Sequence, residues 1–259
     1  MSFVSPEVFA KQKIAALQDY SILAGRAVAN LFSRPIYWAD IYTQMDSIGV
    51  GSLPIVILTG FFTGCVLALQ SATALEAFGA KSKTGSLVAL SMVKELGPVL
   101  TGLMVSGRNA SGMASELGSM KVTEQIDAMR ALGTDPIRKL VTPRVLATVF
   151  VLFFLTIISD AVGIAGGTLV GVSLIGLNAS SYIHSSYNGL VYGDIVQGLT
   201  KPIFSGFIIA TVGCYFGLKT TGGTQGVGRA TTQAVVVSSV FIIVVDFLVS
   251  RLMIGIFGS

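Results

Sequence analysis

A chain of 259 residues that is 52% hydrophobic and only 12% charged, with a mean hydropathy of +0.77, lacks the charge that the surface of a soluble domain needs. Its net charge of +4 does not mark a nucleic-acid binder, because most of the basic residues lie between apolar runs, where the orientation of a membrane protein would place them. Cys65 and Cys214 both fall inside apolar runs, so they read as small buried residues and give no disulfide framework.

The opening MSFVSPEVFAKQK has neither an apolar core region nor a cleavage site, so no removable signal peptide is expected. Residues 5–32 read as one helical unit. Ile14, Leu17, Ala24, Val28 and Leu31 share a face, while Lys11, Lys13, Asp19 and Arg26 interrupt the apolar content. A span needs ~20 apolar residues, so the pattern predicts an amphipathic helix in the inner headgroup region. Ser33-Arg34-Pro35 should end it, and Tyr37, Trp38 and Tyr42 suit an interfacial aromatic belt.

The first span is expected over 47–69, with Gly60 and Gly64 forming a small-residue face for a close helix partner. The polar interval 70–85, with Glu76, Lys81 and Lys83, should face outward. A second span, 86–106, is interrupted by Lys94-Glu95-Leu96-Gly97-Pro98. Pro98 has no N–H for the Lys94 carbonyl and its ring crowds that oxygen, which predicts a kink.

Residues 107–144 form the long polar interval, GRNASGMASELGSMKVTEQIDAMRALGTDPIRKLVTPR. Arg108, Lys121, Arg130, Arg138, Lys139 and Arg144 outnumber Glu116, Glu124, Asp127 and Asp135, which places the stretch on the cytoplasmic side. Val122, Ile126 and Met129 recur at the spacing of one helical face, Gly133 can close that helix, and Asp135-Pro136 and Thr142-Pro143 each read as an N-cap before a first-turn proline. A new helix is therefore expected to start at Pro143 and to form the third span over about Val145 to Leu174, with Gly163, Gly167 and Gly171 marking a close contact.

The interval 176–193 has no Lys or Arg and should be external; His184 within it reads as a surface residue rather than a metal ligand. The fourth span, 195–218, carries Lys201-Pro202 and a second pair of small residues, Gly213 and Gly217. The turn KTTGGTQGVGRATT misses the P-loop pattern, since Arg229 stands where Lys is required and Ala230 follows it, so it holds no nucleotide. The last span, 232–257, contains Asp246 and Arg251. With five spans, the inside segments hold twelve Lys and Arg and the outside segments two, Lys81 and Lys83, which puts the N-terminus in the cytoplasm and the C-terminus outside.

Lys94, Glu95, Asp160, Lys201 and Asp246 lie within apolar spans, at a cost of about 2.5–3.5 kcal/mol each on insertion scales. They are either ion pairs between helices or a polar patch in a lipid-accessible cavity. Lys94 and Glu95 point about 100° apart on a helix and cannot pair well with each other, so each needs a partner elsewhere. Lys201 and Asp246 are the available complements.

The run ELGSMKVTEQIDAMRALGTDP, with GR upstream and LVTPR downstream, resembles the signature of the MlaE (YrbE) family, the permease subunits of ABC transporters that move phospholipids across the Gram-negative envelope. The resemblance extends over nearly the whole chain. It implies an all-α polytopic membrane protein with an interfacial N-terminal helix in 1–46, a five-span permease domain in 47–259, and a short cytoplasmic coupling helix in segment 107–144, between the second and third spans.

ATPase coupling would then fall to Glu116, Lys121, Val122, Thr123, Glu124, Gln125, Ile126, Asp127, Met129 and Asp135. A lipid cavity would involve Leu67, Leu75 and Phe78 with Lys94, Glu95, Pro98, Lys201 and Asp246. KELGP is similar to the family's RELGP, but Lys is a point charge and cannot grip phosphate bidentately.

The resemblance further implies a homodimer in the inner membrane that binds no cofactor itself. ATP and Mg would sit on a separate MlaF-type ATPase, beside an MlaB-type STAS protein and a periplasmic MlaD-type MCE hexamer. The system would act in outer-membrane lipid asymmetry. The alternative is an ion- or proton-coupled secondary transporter built on the intramembrane charges, which would leave the cytoplasmic helix without a task. An enzyme is disfavoured, since no nucleophile–base pair or metal cluster is visible in the sequence.

Overall fold

The computed structural model describes residues 6–31 and 37–257. The expected stop at Ser33-Arg34-Pro35 lies outside the described residues. Eight helices follow one another among those described: α1 (Pro6–Leu31), α2 (Trp38–Glu76), α3 (Lys81–Val122), α4 (Gln125–Ala131), α5 (Ile137–Ser173), α6 (Ala179–Asn188), α7 (Tyr192–Leu218) and α8 (Gly223–Phe257). Five of them, α2, α3, α5, α7 and α8, are long and apolar enough to cross a membrane. The shortest has 27 residues, and at a rise of ~1.5 Å per residue it spans about 40 Å, more than the ~30 Å of a hydrocarbon core. Each helix therefore reaches beyond the oily layer, and α2 begins at Trp38, ahead of its apolar run.

At Pro98, where the sequence predicts a kink, the helix widens into a π turn. Residues Met92–Leu96 make a π-helical turn in which the Gly97 N–H bonds back to the Met92 carbonyl. A five-residue ladder at this point lets the helix continue through a residue that cannot donate. The same device carries α5 through Pro143. Residues Ile137–Val141 form a π-helical turn, and the Thr142 N–H bonds to Ile137 O. The sequence pattern placed a new helix at Thr142-Pro143; instead α5 starts at Ile137 and runs past the proline without a break.

Small residues decide which spans touch. A Cβ on Gly64 would collide with the Gly163 backbone, and one on Gly60 would stand 2.9 Å from the Ser159 carbonyl. The GxxxG face of α2 thus meets the glycine row of α5, and the two helices pack along much of their length. Gly213 and Gly217 of α7 seat against Ala110, Ala114 and Leu117 of α3 in the same way. Side chains such as Val105, Leu117, Leu152, Ile209 and Ile242 fill the larger core, toward the α4 end of the bundle. Ala68, Val88, Met92 and Val170 fill a smaller one toward α6.

Helix α1 lies against this bundle. Leu23 and Ala27 are buried, the Tyr20 and Thr211 hydroxyls share a 2.9 Å hydrogen bond, Tyr215 Oη donates to Ala16 O at 3.1 Å, and Lys219 pairs with Asp19. The face read from the sequence, with Ile14, Leu17 and Val28, is the exposed one, and the opposite face packs on the bundle.

The polar interval differs from its expected form. Val122 closes α3, Glu124 takes a left-handed conformation at φ 60°, and α4 begins at Gln125. Val122 and Ile126 are therefore on different helices, because the chain turns between them. The C-terminal expectation holds: Gly133 has φ 78°, with Gly133 N bonded to Arg130 O and Thr134 N to Met129 O, both at 3.0 Å. Asp135 caps as expected, its Oδ1 accepting from Ile137 N at 3.0 Å.

Candidate functional site

The charges between the spans assemble around Lys201. Its side chain is only 2% exposed, and Nζ sits 2.8 Å from Lys94 O, 3.0 Å from Asp246 Oδ1, and in a short contact with Glu95 Oε2. An ammonium has three hydrogens to donate; here it donates to Lys94 O and Glu95 Oε2 and lies in ion-pair contact with Asp246, without a hydrogen bond to its Oδ1. The Lys94 carbonyl is the one that Pro98 leaves without its usual donor, so the buried lysine satisfies the backbone that the proline disturbs. Helices α3, α7 and α8 are tied together at this point.

Glu95 is the open member of the cluster, with a side chain 44% exposed. It also accepts from Gln197 Nε2 at 3.3 Å and Ser250 Oγ at 3.1 Å. Lys94 turns away and pairs with Asp194 at 3.0 Å. Two ammonium groups thus serve three carboxylates. Of the complements proposed from sequence, Lys201 and Asp246 both reach the cluster, but Lys94 takes a partner that the reading missed. Asp194 stands in the first turn of α7, where its Oδ2 accepts from Val191 N at 3.1 Å, and an acid at a helix start is the one signal that could have marked it. Gln197 and Ser250 carried no sequence signal, being ordinary polar residues on long helices.

An apolar hollow of about 350 Å³ opens between α2 and the π turn of α3, lined by Phe62, Thr63, Val66, Leu67 and Gln70 of α2 and by Leu96 of α3. Leu67 is in its wall. Leu75 and Phe78 lie beyond it, and Phe78 is 83% exposed past the end of α2. Leu96, which lines the hollow, follows Glu95 directly in the π turn, so the segment that carries the cluster's glutamate also supplies part of the hollow's wall.

On the opposite end, Arg144 is buried and pairs with Glu116 at 2.7 Å, while Lys139 pairs with Asp40. Lys121 and Arg130 both bind Asp127, at 2.7 and 3.2 Å. The hydrogen bond from Lys121, helped by the two positive charges, holds the Asp127 carboxyl below the usual carboxylate range. Gln125 Nε2 donates to Thr123 Oγ1 at 3.0 Å, Ile126 is buried, and Met129 is half-buried. Glu124 and Leu132 are exposed, at the two ends of α4.

Five crossing helices with charges gathered between them, and an apolar hollow open at their flank, define a polytopic membrane protein of the permease type. The family model described as Permease MlaE matches residues 41–252, and the chain belongs to that family. It is similar to a probable ABC transporter permease protein of Rickettsia felis, 44% identical over 234 residues and 90% of each chain. It is also similar to a probable ABC transporter permease protein of Synechocystis, 40% identical over 231 residues, 89% of this chain and 88% of that one. The intermembrane phospholipid transport system permease protein MlaE of Haemophilus influenzae is 37% identical over 245 residues, 92% of this chain and 94% of its own.

Proposed function

We propose that this chain is the membrane subunit of an ABC transporter that moves phospholipids between the inner and outer membranes of a bacterium, and that it works as a homodimer in the inner membrane. The observation that carries the reading is the apolar hollow against the π turn that bears Glu95, whose wall includes Leu67, Val66, Phe62 and Leu96. Such a surface suits acyl chains, and the polar cluster beside it suits the headgroup end of the same molecule. The names of the relatives support the substrate and the ATP-driven class.

The chain's own residues then have separate tasks. The ties from Lys201 to Lys94 O, Glu95 and Asp246 hold α3, whose Leu96 lines the hollow, together with α7 and α8. The exposed apolar face of α8, with Val240, Phe247 and Leu248, is offered to a second copy. The α4 segment meets the MlaF-type ATPase, which carries the ATP and Mg, with an MlaB-type STAS protein beside it. The MlaD-type MCE hexamer stands on the periplasmic side, where the C-terminus points.

The test is reconstitution in proteoliposomes with the ATPase, following transfer of a fluorescent phospholipid to an acceptor. ATP-dependent transfer is expected, and it should fall when Leu67 is replaced by Asp. A flux that needs no ATPase and follows an imposed proton or sodium gradient would favour the ion-coupled alternative. Coupling is tested by Glu124→Lys with Asp127→Lys, which should abolish ATPase copurification while the chain stays folded; normal copurification would count against a docking role for α4.

A further inference from the structure

Asp160 takes no part in the ion pairs described above. It lies within α5 with only 8% of the residue exposed. Among the described residues no cation pairs with it, and its Oδ1 has no hydrogen-bond partner. The neighbouring ammonium groups are engaged elsewhere, Lys94 by Asp194 and Lys201 by Glu95 and Asp246.

Its surroundings are nonetheless closely shaped. A Cβ on Gly97 would overlap Asp160 Oδ1 and would stand 2.9 Å from Met92 O. The carboxyl therefore occupies the place that a side chain at position 97 would take, next to the backbone of the π turn. One turn further along α5, Gly163 leaves room for the thioether end of Met92. Helix α5 thus presents a socket to the π turn, with Asp160 on one side and Gly163 on the other.

A bare carboxylate in that socket would carry an uncompensated charge in a low-dielectric interior, and such a group neutralises rather than stays ionised. Hydrocarbon on the lipid side offers no counter-ion. The Met92 carbonyl spends one of its two lone pairs on the Gly97 N–H and keeps the other. We propose that Asp160 carries a proton and acts as a positioning residue, its neutral acid donating a hydrogen bond into the backbone of the π turn that sets Lys94 and Glu95 in place. The inference stands on the packing of α3 against α5 and is independent of what the protein transports.

The experiment uses the full chain purified in detergent. Infrared spectra of the unsubstituted protein and of Asp160→Asn are compared at neutral pH. The difference should contain the carbonyl stretch of a protonated carboxylic acid, present in the first and lost in the second. The amide has the shape and the donor of the neutral acid, so Asp160→Asn should melt within about 3 °C of the unsubstituted chain, and Asp160→Ala should fall further. Gly97→Ala should lower the melting temperature, and Gly97→Ala combined with Asp160→Ala should recover part of the loss by returning the space. Absence of the acid band would overturn the proposal. So would failure of Asp160→Asn to fold, since an ionised carboxylate would then be the form the socket requires. Additive losses in the Gly97 and Asp160 pair would overturn the contact.

Discussion

Helices α5 and α8 are equally oily, with mean hydropathies of 2.4 and 2.3 over their most apolar stretches, yet half of that stretch is buried in α5 and only 11% in α8. Side-chain size accounts for the difference. Along α5 the inward face carries Thr148, Thr156, Ser159, Gly163, Gly167 and Gly171, which let other backbones approach. The α8 stretch from Val235 to Val249 has no glycine, and only Ser238, Ile242 and Val249 of it are buried, with the Ser238 hydroxyl 2.6 Å from that of Ser106. Hydropathy decides that a helix enters the membrane. Small residues decide whether it then meets protein or lipid, because apolar side chains gain nothing from leaving one for the other.

The comparison breaks first where α8, short of small residues, is tied to α3 and α7 by charge. Lys201→Met should be the most damaging change, leaving Glu95 and Asp246 together without their cation. The expected cost is about 3–5 kcal/mol, as for other buried pairs deprived of one member, read as loss of folded protein on size exclusion. Lys201→Arg should retain part of it. Gly64→Leu comes next, at roughly 3 kcal/mol for forcing a side chain into the α5 backbone. Thermal unfolding of that variant at the unsubstituted temperature would mean the α2–α5 seam is not as close as described.

On α8, Val240→Leu should change monomer stability by less than about 0.5 kcal/mol. The same position substituted by Cys should form a disulfide between copies if the uncovered face meets its twin. Absence of cross-linking along 236–252 would leave lipid as what covers it.

The smallest effect lies outside the spans. The Asp127 carboxyl is held below its ordinary value, so the stability it contributes is fully present above the ordinary carboxylate range. That contribution is lost as pH falls through the lowered value. Asp127→Asn should therefore weaken α4 docking at neutral pH and leave it unchanged at strongly acidic pH, measured by protease sensitivity of the 121–131 segment. A difference that persists in acid would assign the contact to packing.

These contrasts also separate what was legible in the sequence from what was not. The five spans, the Gly60–Gly64 face, the Gly133 closure and the Asp135 cap depend on composition or on residues a few positions apart, and all were readable. The start of α5 was misplaced because Thr142-Pro143 is a sound local cap signal that a π turn overrides. The partners of Lys94 and Glu95 were mixed because they depend on how each helix is rotated about its axis, which residue spacing within one helix does not reveal. Leu67 fell in the hollow and the other two outside it because the hollow takes in only one part of α2: Leu75 lies about two turns further along the same helix, and Phe78 lies past its end at Glu76.

The π turns at Met92–Leu96, Ser106–Ala110 and Ile137–Val141 bear on how such chains are read. Each adds one residue to a circuit of the helix, and one residue is worth about 100° of rotation. Beyond each turn the helix is out of phase with the stretch before it, much as a screw whose thread restarts partway along. A face counted in threes and fours across residue 92 or 106 therefore drifts off its target, and the periodicity of α3 has to be taken up afresh after each joint. Deleting one residue within Met92–Leu96 would bring the two phases back into line and, in doing so, swing everything on one side of the joint by that same angle relative to α7.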